Sequence, residues 1–325
     1  MKPKVILTGG AGYLGGATAF VLEREGYEPL VVDDYSTSRP NKNFPFPVYQ
    51  VDLKKRTEVD KVWNQFSGAI GVIHFAARAL VPESVANPGL YFENNVLAAL
   101  NVAEASLARG IKTMVHSSTC AVYGTPAQVP IDESSAHAPL SPYGVSKSMV
   151  ENMLASFQAS KGLKPLNLRY FNPAGALSGK KWGESHEPET HVIPNVVRFG
   201  ESNEIFSIFG NDYPTPDGTC IRDYIYVEDL AMAHIQALRY LEATAKPVRA
   251  INLGSGIGHS VTQIIAATEK VMGKKIVTQL YPRRPGDAPE LVANASLMKK
   301  ELGFTPLGTL ETMVRTQWEW FKSTH

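Results

Sequence analysis

Short apolar runs recur along the first half of the chain and alternate with segments of helical periodicity. Apolar runs without polar alternation are typical of strands buried on both faces, and helical segments between them indicate parallel βαβ units. The predicted strands centre on Val5-Ile6-Leu7, Leu30-Val31-Val32, Val72-Ile73-His74-Phe75, Met114-Val115-His116 and Leu166-Asn167-Leu168. The pattern predicts an α/β fold built on a doubly wound parallel sheet.

Apolar residues at helical spacing predict the helices of the chain, and breaks in that spacing predict its loops and its domain boundary. Two predicted helices are expected to turn an apolar face toward the core. One face consists of Val59, Val62, Trp63 and Phe66 and the other of Leu97, Leu100, Val102 and Ala105. Residues 123–143 are rich in proline, glycine and serine, which predicts a long loop. Helices are expected at 193–200, 227–243 and 261–272, with a final amphipathic helix from Leu310 to Phe321. The alternation of apolar strands and helical segments ends after residue 174. We therefore expect a first domain over 1–174 and a smaller α/β substrate domain over 175–325, with some elements returning to the first domain.

Composition and charge exclude several function classes. The net charge of +1 is too small for a nucleic-acid groove or a polybasic membrane surface. Cys120 and Cys220 lack a CxxC spacing, so neither a disulfide framework nor a thiolate metal site is expected, and the cytoplasm is the expected location. No secretion signal or apolar run of about 18 residues is visible. His74 and His116 lie inside apolar strands without metal-ligand spacing, so we interpret them as core residues and expect no metal site.

A glycine-rich loop follows the first predicted strand and opens a helix. It reads Thr8-Gly9-Gly10-Ala11-Gly12-Tyr13-Leu14-Gly15, which satisfies both GxGxxG and GxxGxxG spacing. Glycines there permit a tight turn and close approach of the backbone to a pyrophosphate at the helix N-terminus. Asp33 ends the second strand 18 positions after Gly15, where an acid binds the adenosine ribose and repels a 2′-phosphate. The sequence therefore predicts a Rossmann-like site for NAD rather than NADP.

Tyr143 and Lys147 stand four positions apart after Pro142, which is suited to begin a helix. A free phenol has a pKa of about 10, so a base near neutrality needs a pKa lowered by about 3, roughly 4 kcal/mol. A lysine charge ~5 Å away contributes about 3 kcal/mol at an effective dielectric near 20, and an oxidised nicotinamide adds to it. Thr119, after the strand containing His116, offers a hydroxyl to a substrate alcohol. These residues predict acid–base chemistry on an alcohol beside NAD.

Taken together, these residues resemble the extended short-chain dehydrogenase/reductase family. The resemblance also rests on motifs further along the chain, namely His74-Phe75-Ala76-Ala77, Asn94-Asn95-Val96, Val122-Tyr123-Gly124, Arg169-Tyr170-Phe171-Asn172-Pro173, Phe209-Gly210-Asn211-Asp212-Tyr213, Arg222-Asp223-Tyr224 and Pro282-Arg283-Arg284-Pro285-Gly286-Asp287. The last four motifs are the most specific, because dehydrogenases in general do not need them.

The resemblance implies a role for each matched residue. Tyr143 would be the base, Lys147 would hold the nicotinamide ribose, and Thr119 would supply the hydroxyl. The implied NAD-binding residues are Gly9, Gly12, Tyr13, Leu14, Gly15, Asp33, Asp52, Leu53, Phe75, Ala76, Ala77, Asn95, Ser117, Tyr143, Lys147 and Tyr170. The implied substrate-binding residues are Thr119, Asn172, Ser207, Phe209, Arg222, Tyr224, Arg284, Asp287 and Leu291, with Asn172 and the two arginines on a diphosphate.

The implied reaction is reversible epimerisation at C4 of a UDP-sugar through a 4-keto intermediate, first of all UDP-galactose to UDP-glucose. UDP-N-acetylhexosamines, UDP-arabinose and UDP-xylose remain alternative substrates, because Leu291 stands where some members place a bulky tyrosine. Ala79 replaces a lysine common in the family, which puts one cofactor contact in question. A 4,6-dehydratase, a decarboxylase and a non-catalytic NAD-sensing module are the competing functions. A homodimer is also implied, through the helices after Asn95 and Tyr143.

Overall fold

The computed structural model describes residues 1–41, 43–179, 182–184, 186, 188–284 and 287–324. The strands are β1 (Lys4–Thr8), β2 (Glu28–Asp33), β3 (Val48–Gln50), β4 (Ala69–His74), β5 (Thr113–Thr119), β6 (Lys164–Tyr170), β7 (Asn172–Ala174), β8 (Phe206–Phe209), β9 (Ile221–Tyr226), β10 (Ala250–Leu253), β11 (Gly258–Ser260), β12 (Thr278–Tyr281) and β13 (Glu290–Leu291). The helices are α1 (Tyr13–Arg24), α2 (Arg56–Trp63), α3 (Val81–Ala86), α4 (Pro88–Tyr91), α5 (Ala98–Leu107), α6 (Pro142–Lys161), α7 (Val192–Ser202), α8 (Val227–Ala243), α9 (Val261–Met272), α10 (Ser296–Leu302) and α11 (Leu310–Thr324).

The main sheet has seven parallel strands in the order β10-β6-β5-β4-β1-β2-β3. The five strands predicted from apolar runs are all present in it, and β5 is buried along its whole length. One apolar cluster packs on each face of the sheet, as parallel strands covered by helices require. The predicted Rossmann-like α/β fold is confirmed.

The second half of the chain contributes to both parts of the molecule. β10 follows residue 175 in sequence yet pairs with β6 at the edge of the main sheet, and α8 packs against α1. A small sheet joins β11, β9 and β13, with β7 beside β9, and β8 pairs with β12 as a separate ribbon. The boundary at residue 174 stays a prediction.

Local sequence explains where α6 begins and ends. Ser141 is its N-cap, and the Ser141 hydroxyl accepts a hydrogen bond from the Gly144 backbone N–H at 3.3 Å. Pro142 occupies the first turn, where it needs no donor. Gly162 ends the helix at φ 69°, in the left-handed conformation that glycine adopts without cost. The predicted start of this helix is confirmed, which sets Tyr143 and Lys147 on one face.

One predicted core position is wrong. Leu97 was expected to face the core, but its side chain is 40% exposed, whereas Val102 and Ala105 are fully buried. A π-helical turn over Phe92–Leu97 precedes α5 and rotates the apolar face of the helix, so that Ala98 and Ala99 are buried instead.

Among the described residues, no helix combines the length and the apolar composition that a membrane crossing requires.

Candidate active site

The glycine loop joins β1 to α1 and leaves no room for side chains. Gly9 has φ +66°, and a Cβ on it would lie 2.6 Å from the backbone nitrogen of Ala76. A Cβ on Gly15 would lie 2.1 Å from the carbonyl oxygen of Gly9. Gly12 is the N-cap of α1, so the helix N-terminus faces the loop. This backbone cradle fits a dinucleotide pyrophosphate.

A cleft of about 590 Å³ opens beside this loop. Its lining includes seven residues implied by the resemblance, namely Gly9, Gly12, Asp33, Leu53, Phe75, Ala76 and Ala77. Lys54, Arg78 and Asn94 also line it and were not predicted as site residues. Asp52 lies next to this lining and forms an ion pair with Lys54 at 2.9 Å. The adenosine half of a dinucleotide fits here.

Asp33 is held as a buried acceptor at the end of β2. Its carboxylate accepts hydrogen bonds from the backbone N–H of Ala11 at 3.0 Å and of Tyr35 at 2.9 Å, and from the Ser38 hydroxyl at 3.0 Å. Burial raises the pKa of Asp33 above its ordinary value, although these bonds act in the opposite direction. The carboxylate therefore lies at the end of β2, where an NAD-selective acid is expected, and its contact with the adenosine ribose stays a prediction.

Tyr143 and Thr119 meet where β5 ends and α6 begins. The Thr119 hydroxyl lowers the pKa of the Tyr143 phenol, against the effect of burial, so the two side chains lie close together. Thr119 also accepts a hydrogen bond from the backbone N–H of Ala121 at 3.2 Å, which positions its side chain. The Tyr143 ring makes an edge contact with Tyr91, with ring centroids 6.3 Å apart. Thr119 therefore lies beside Tyr143, and its expected contact with a substrate alcohol stays a prediction.

The electrostatics of Tyr143 differ from the sequence expectation. Lys147 was expected to lower the tyrosine pKa, but burial raises the pKa of Tyr143 to about 12, with only Thr119 opposing it. Burial also lowers the pKa of Lys147 to about 7. The Lys147 ammonium donates to the carbonyl oxygen of Ser117 at 2.7 Å. Burial therefore dominates the pKa of each side chain, and the lowering of the Tyr143 pKa by Lys147 and bound nicotinamide stays a prediction.

A buried carboxylate lies one helical turn beyond Lys147. Glu151 accepts hydrogen bonds from the Arg169 guanidinium at 2.7 and 3.0 Å and from the Ser118 hydroxyl at 2.6 Å. Its charge raises the pKa of Lys147, against the effect of burial. Arg169 in turn donates to the Tyr123 hydroxyl at 2.8 Å. This network joins β5, β6 and α6 directly behind the candidate catalytic residues.

Three further residues expected to bind NAD, namely Asn95, Ser117 and Tyr170, are held by hydrogen bonds to neighbouring elements. The Asn95 amide donates to the Ser146 hydroxyl at 2.9 Å and to the carbonyl oxygen of Arg78 at 3.1 Å. The Tyr170 hydroxyl is hydrogen-bonded to Nε2 of His234. Ser117 lowers the pKa of Tyr170 against the effect of burial, so their side chains lie close together, and the Ser117 carbonyl oxygen accepts from Lys147. These contacts bring Asn95, Ser117 and Tyr170 to the same end of the sheet.

A second polar cluster lies on the elements of the second half. Asp287 is 3.7 Å from the Arg222 guanidinium and 3.1 Å from Nε of Arg284. The Arg284 guanidinium lies 5.0 Å from the centroid of the Phe209 ring. Arg284, Phe209 and Ser207 share one cleft of about 830 Å³. Two guanidinium groups around one carboxylate suit a diphosphate with an adjacent ribose.

Three other residues implied for substrate binding lie on β7, β9 and β13. The Asn172 amide donates to the carbonyl oxygen of Asp223 at 2.8 Å and so joins β7 to β9. Tyr224 is buried in the main hydrophobic cluster. Leu291 is the strand partner of Arg222 and packs partly buried beside a smaller apolar cluster. Their substrate contacts stay predictions. Pro285 and Gly286 of the arginine motif lie outside the described residues.

The two strand histidines are core residues, as expected. His74 Nδ1 bonds to the Thr8 hydroxyl at 2.7 Å, and His116 Nδ1 bonds to Asn167 at 3.0 Å. Burial lowers the pKa of His74 to about 3 and that of His116 well below its usual value, with the Lys147 charge adding to both effects. Both imidazoles are therefore neutral at physiological pH.

Comparisons with known proteins agree with this geometry. Residues 5–254 match the model of the NAD dependent epimerase/dehydratase family. The chain belongs to this family. A UDP-glucose 4-epimerase of Rhizobium leguminosarum bv. trifolii is 40% identical over 317 residues, which cover 97% of this chain and 96% of the relative.

Solved structures carry the same fold. The UDP-glucose 4-epimerase of Brucella ovis in complex with NAD has a TM-score of 0.94 and 37% identity and covers 98% of both chains. The UDP-glucose-4-epimerase of Stenotrophomonas maltophila, with bound NAD and formylated UDP-arabinopyranose, has a TM-score of 0.95 and 32% identity, covering 100% of this chain and 99% of that one. As in the rest of the family, the cofactor is NAD.

Several contacts at the cofactor site were not predicted from the sequence. The Trp182 indole donates to the carbonyl oxygens of Gly12 at 3.2 Å and Tyr13 at 3.0 Å, so a distant loop packs on the phosphate loop. The Tyr13 hydroxyl donates to the Gly175 carbonyl oxygen at 2.6 Å. Leu14 packs partly buried against the core. No local spacing signals the Trp182 and Tyr13 contacts, because each joins residues more than 150 positions apart.

The cofactor cleft retains a positive charge although Ala79 replaces the lysine common in the family. Ala79 is exposed, whereas the adjacent Arg78 lines the cofactor cleft and pairs with Glu83 at 3.1 Å. A cation therefore remains at this edge of the cleft, one position earlier than the family lysine.

Proposed function

We propose that this chain catalyses reversible epimerisation at C4 of a UDP-sugar, with UDP-galactose and UDP-glucose as its substrate pair. The observation that carries the proposal is the Thr119 side chain beside the Tyr143 phenol, with Lys147 one turn further along the same helix as Tyr143. An alcohol placed against these two hydroxyls meets a proton acceptor and a second hydroxyl that positions it. The NAD cleft and the Arg222–Arg284 cluster supply sites for the cofactor and the nucleotide.

The residues divide the work between binding and chemistry. Gly9, Gly12 and Gly15 would hold the NAD pyrophosphate, Asp33 the adenosine ribose and Lys147 the nicotinamide ribose. When bound, NAD supplies a hydride acceptor that can also return the hydride. Tyr143 takes the C4 hydroxyl proton as the 4-keto sugar forms and gives it back when the opposite face is reduced.

The pKa of Tyr143 must be lower during turnover than the value of about 12 set by burial. The protonated Lys147 and the positive charge of oxidised nicotinamide both act in that direction. Burial keeps the pKa of Lys147 at about 7 although the Glu151 charge raises it, so the charged fraction of Lys147 falls as pH rises through neutrality unless bound ligands hold the proton on it. The charge state of Lys147 thus links cofactor binding to the strength of the base.

Inversion requires the sugar to turn while the nucleotide stays bound. Arg222, Arg284 and Asp287 would grip the diphosphate and the uridine ribose, so that remote binding energy serves the step at C4. Leu291 leaves less bulk than tyrosine at the expected sugar wall, which supports tolerance of substituents at C2. The formylated UDP-arabinopyranose bound by the Stenotrophomonas maltophila relative illustrates how far the sugar can vary in such a fold.

Product analysis tests the proposal directly. Purified chain is incubated with UDP-galactose, UDP-N-acetylgalactosamine and UDP-arabinose in separate reactions without added NAD. We expect UDP-glucose from the first, at a rate that falls 10²–10⁴-fold in Tyr143→Phe. A 4-keto-6-deoxy product would instead indicate a dehydratase, and absence of any product with NAD bound would indicate a sensing module. The thiol of Cys120, whose pKa burial raises to about 12, argues against the dehydratase, because it cannot replace a carboxylic acid in proton transfer.

We also propose a homodimer in the cytoplasm. Phe92, Leu97 and Met149 are large apolar side chains exposed on the π-helical turn and α6, the helices expected to pair. Cys120 and Cys220 are free thiols, in keeping with a reducing compartment. Light scattering on a size-exclusion column should give the mass of two chains for the wild type and of one chain for Met149→Glu. A wild-type monomer would contradict the dimer.

A further inference from the structure

Tyr213 carries a buried hydroxyl that no described residue satisfies. In the motif Phe209-Gly210-Asn211-Asp212-Tyr213, the resemblance implied a role for Phe209 alone. Tyr213 lies in the loop between β8 and β9, and its side chain is only 4% exposed. Within the part of the chain that the structure describes, its hydroxyl is shielded from solvent and has no hydrogen-bond partner. Native proteins contain few such groups, because an unpaired buried donor destabilises the fold.

The loop that carries Tyr213 is closed by its own hydrogen bonds. The Tyr213 backbone N–H donates to the carbonyl oxygen of Gly218 at 2.9 Å. The Thr215 hydroxyl donates to the carbonyl oxygen of Thr219 at 2.7 Å, and the Thr219 backbone N–H donates to the Asp217 carboxylate at 2.9 Å. The chain thus folds back on itself, and Tyr213 lies beside the residues that lead into β9.

The aromatic ring of Tyr213 is packed on the backbone of the same loop. Gly210 has φ +83°, and a Cβ on it would lie 2.5 Å from Cε2 of Tyr213. The Arg283 guanidinium covers the ring at 4.3 Å from its centroid, and Nε of Arg283 donates to the Asp212 carboxylate at 2.6 Å. The position of the hydroxyl is therefore set by Gly210 and by the closed loop.

The charged groups around this hydroxyl belong to the second polar cluster. Burial, the Asp287 charge and the Cys220 thiol raise the pKa of Tyr213, whereas the Arg283 and Arg222 charges lower it. These effects require the groups to lie near the phenol, because such interactions weaken with distance. Asp287 is itself 3.7 Å from the Arg222 guanidinium, and Cys220 lines the cleft of about 830 Å³. The phenol thus lies at the edge of this cleft beside the arginines.

We propose that the Tyr213 hydroxyl donates a hydrogen bond to the diphosphate of the bound UDP-sugar. The nearby acceptor, Asp287, already pairs with Arg222 and Arg284. Guanidinium groups donate only, so the two arginines offer the phenol no acceptor, and all three groups can donate to one anion. Phosphate oxygens accept strong hydrogen bonds from such donors. The inference rests on the proposed function, because it takes a UDP-sugar as the ligand of this cleft.

This contact assigns Tyr213 to substrate binding rather than to the hydride step. The diphosphate is the same whether C4 carries a hydroxyl or a keto group, so the hydrogen bond is equally strong in both states. Interactions of that kind lower KM without raising kcat. The ligand also gives the hydroxyl the partner that it lacks in the free chain.

Tyr213→Phe removes only the hydroxyl and tests the contact. UDP affinity is measured by calorimetry on the full chain with its retained NAD, and we expect it to weaken by about 10–100-fold in this variant. Tyr281→Phe is the matched control, because the Tyr281 side chain is 41% exposed and its hydroxyl donates to Gln279 at 3.2 Å. Its UDP affinity should equal that of the wild type. The KM for UDP-galactose should rise in Tyr213→Phe by the same factor as the UDP dissociation constant, with kcat nearly unchanged.

Two further readouts separate a ligand contact from a structural role. Without nucleotide, the unfolding temperature of Tyr213→Phe should equal or exceed that of the wild type, because the substitution removes an unpaired buried hydroxyl. Uridine, which lacks the diphosphate, should inhibit turnover of UDP-galactose with the same inhibition constant in both proteins.

The possible results distinguish this inference from the proposed function. Equal UDP affinity in the wild type and Tyr213→Phe would overturn the inference and leave the proposed function standing, and a lower unfolding temperature beside it would mean that the hydroxyl is structural. An equal loss of UDP and uridine affinity would also overturn it, because the contact would then lie away from the diphosphate. Absence of UDP binding to the wild type would overturn the proposed function itself, and the inference with it.

Discussion

The most informative change to the site removes the buried carboxylate of Glu151, which lies one helical turn beyond Lys147. Glu151 is fully buried and accepts two hydrogen bonds from Arg169 and one from Ser118. Glu151→Gln keeps the shape of the side chain but leaves the Arg169 guanidinium, itself 4% exposed, without its counter-charge. Loss of one partner of a buried ion pair costs about 3–5 kcal/mol, because the other charge stays desolvated.

Equilibrium unfolding in urea measures this cost. We expect the free energy of unfolding to fall by about 3–5 kcal/mol in Glu151→Gln. The matched control is Asp60→Asn, which removes the carboxylate that pairs with Arg56 and Arg109 at the surface and should cost about 0–1 kcal/mol. A loss below about 1 kcal/mol in Glu151→Gln would show that the network contributes no more than a surface pair.

The same variant has a second, electrostatic readout. The Glu151 charge raises the pKa of Lys147, so its removal lowers that pKa below the value of about 7. Protonated Lys147 then disappears at lower pH, and we expect the alkaline fall of kcat to move toward lower pH. Ser118→Ala keeps the Glu151 charge and should leave the pH profile in place. An unchanged profile in Glu151→Gln would separate Glu151 from the charge state of Lys147.

Three further changes test the binding sites. Gly15→Ala should abolish tight NAD binding, because the new Cβ would meet the Gly9 carbonyl oxygen at 2.1 Å, whereas Gly89→Ala meets nothing within 4 Å and should retain cofactor. The NAD released on denaturing each protein after gel filtration reports both. Arg284→Ala should weaken UDP binding in calorimetry by about 10–100-fold, while Arg283→Ala, which removes an exposed partner of Asp212, should change it little. Leu291→Tyr should lower kcat/KM for UDP-N-acetylgalactosamine relative to UDP-galactose by about 10-fold or more, and an equal effect on both substrates would remove this position from the sugar wall.

Local sequence signals explain the central part of the fold. Uninterrupted apolar runs predicted β1, β2, β4, β5 and β6, because a strand covered by helices on both faces needs apolar residues at every position. The start of α6 was equally predictable, since Pro142 and the Ser141 cap act within a few residues. For the same reason the placement of Tyr143 and Lys147 on one helix face followed from their spacing alone.

Other features depend on distant parts of the chain and carry no local signal. β8 and β12 are short and β12 is exposed throughout, so neither shows the apolar run that marks a buried strand. The bond between Trp182 and the phosphate loop and the pairing of Glu151 with Arg169 exist only after folding. The direction of the Tyr143 pKa also depends on burial, which the spacing of the two residues does not report.

The fate of the hydrogen on C4 tests the central claim most directly. UDP-galactose carrying deuterium at C4 is converted by the enzyme with its retained NAD, and the product is analysed by mass spectrometry and proton NMR. If the hydride leaves and returns within one active site while Tyr143 handles only the hydroxyl proton, the UDP-glucose formed retains the deuterium at C4. Replacement of that deuterium by solvent hydrogen would contradict the account, because it would require a proton rather than a hydride to move at this carbon.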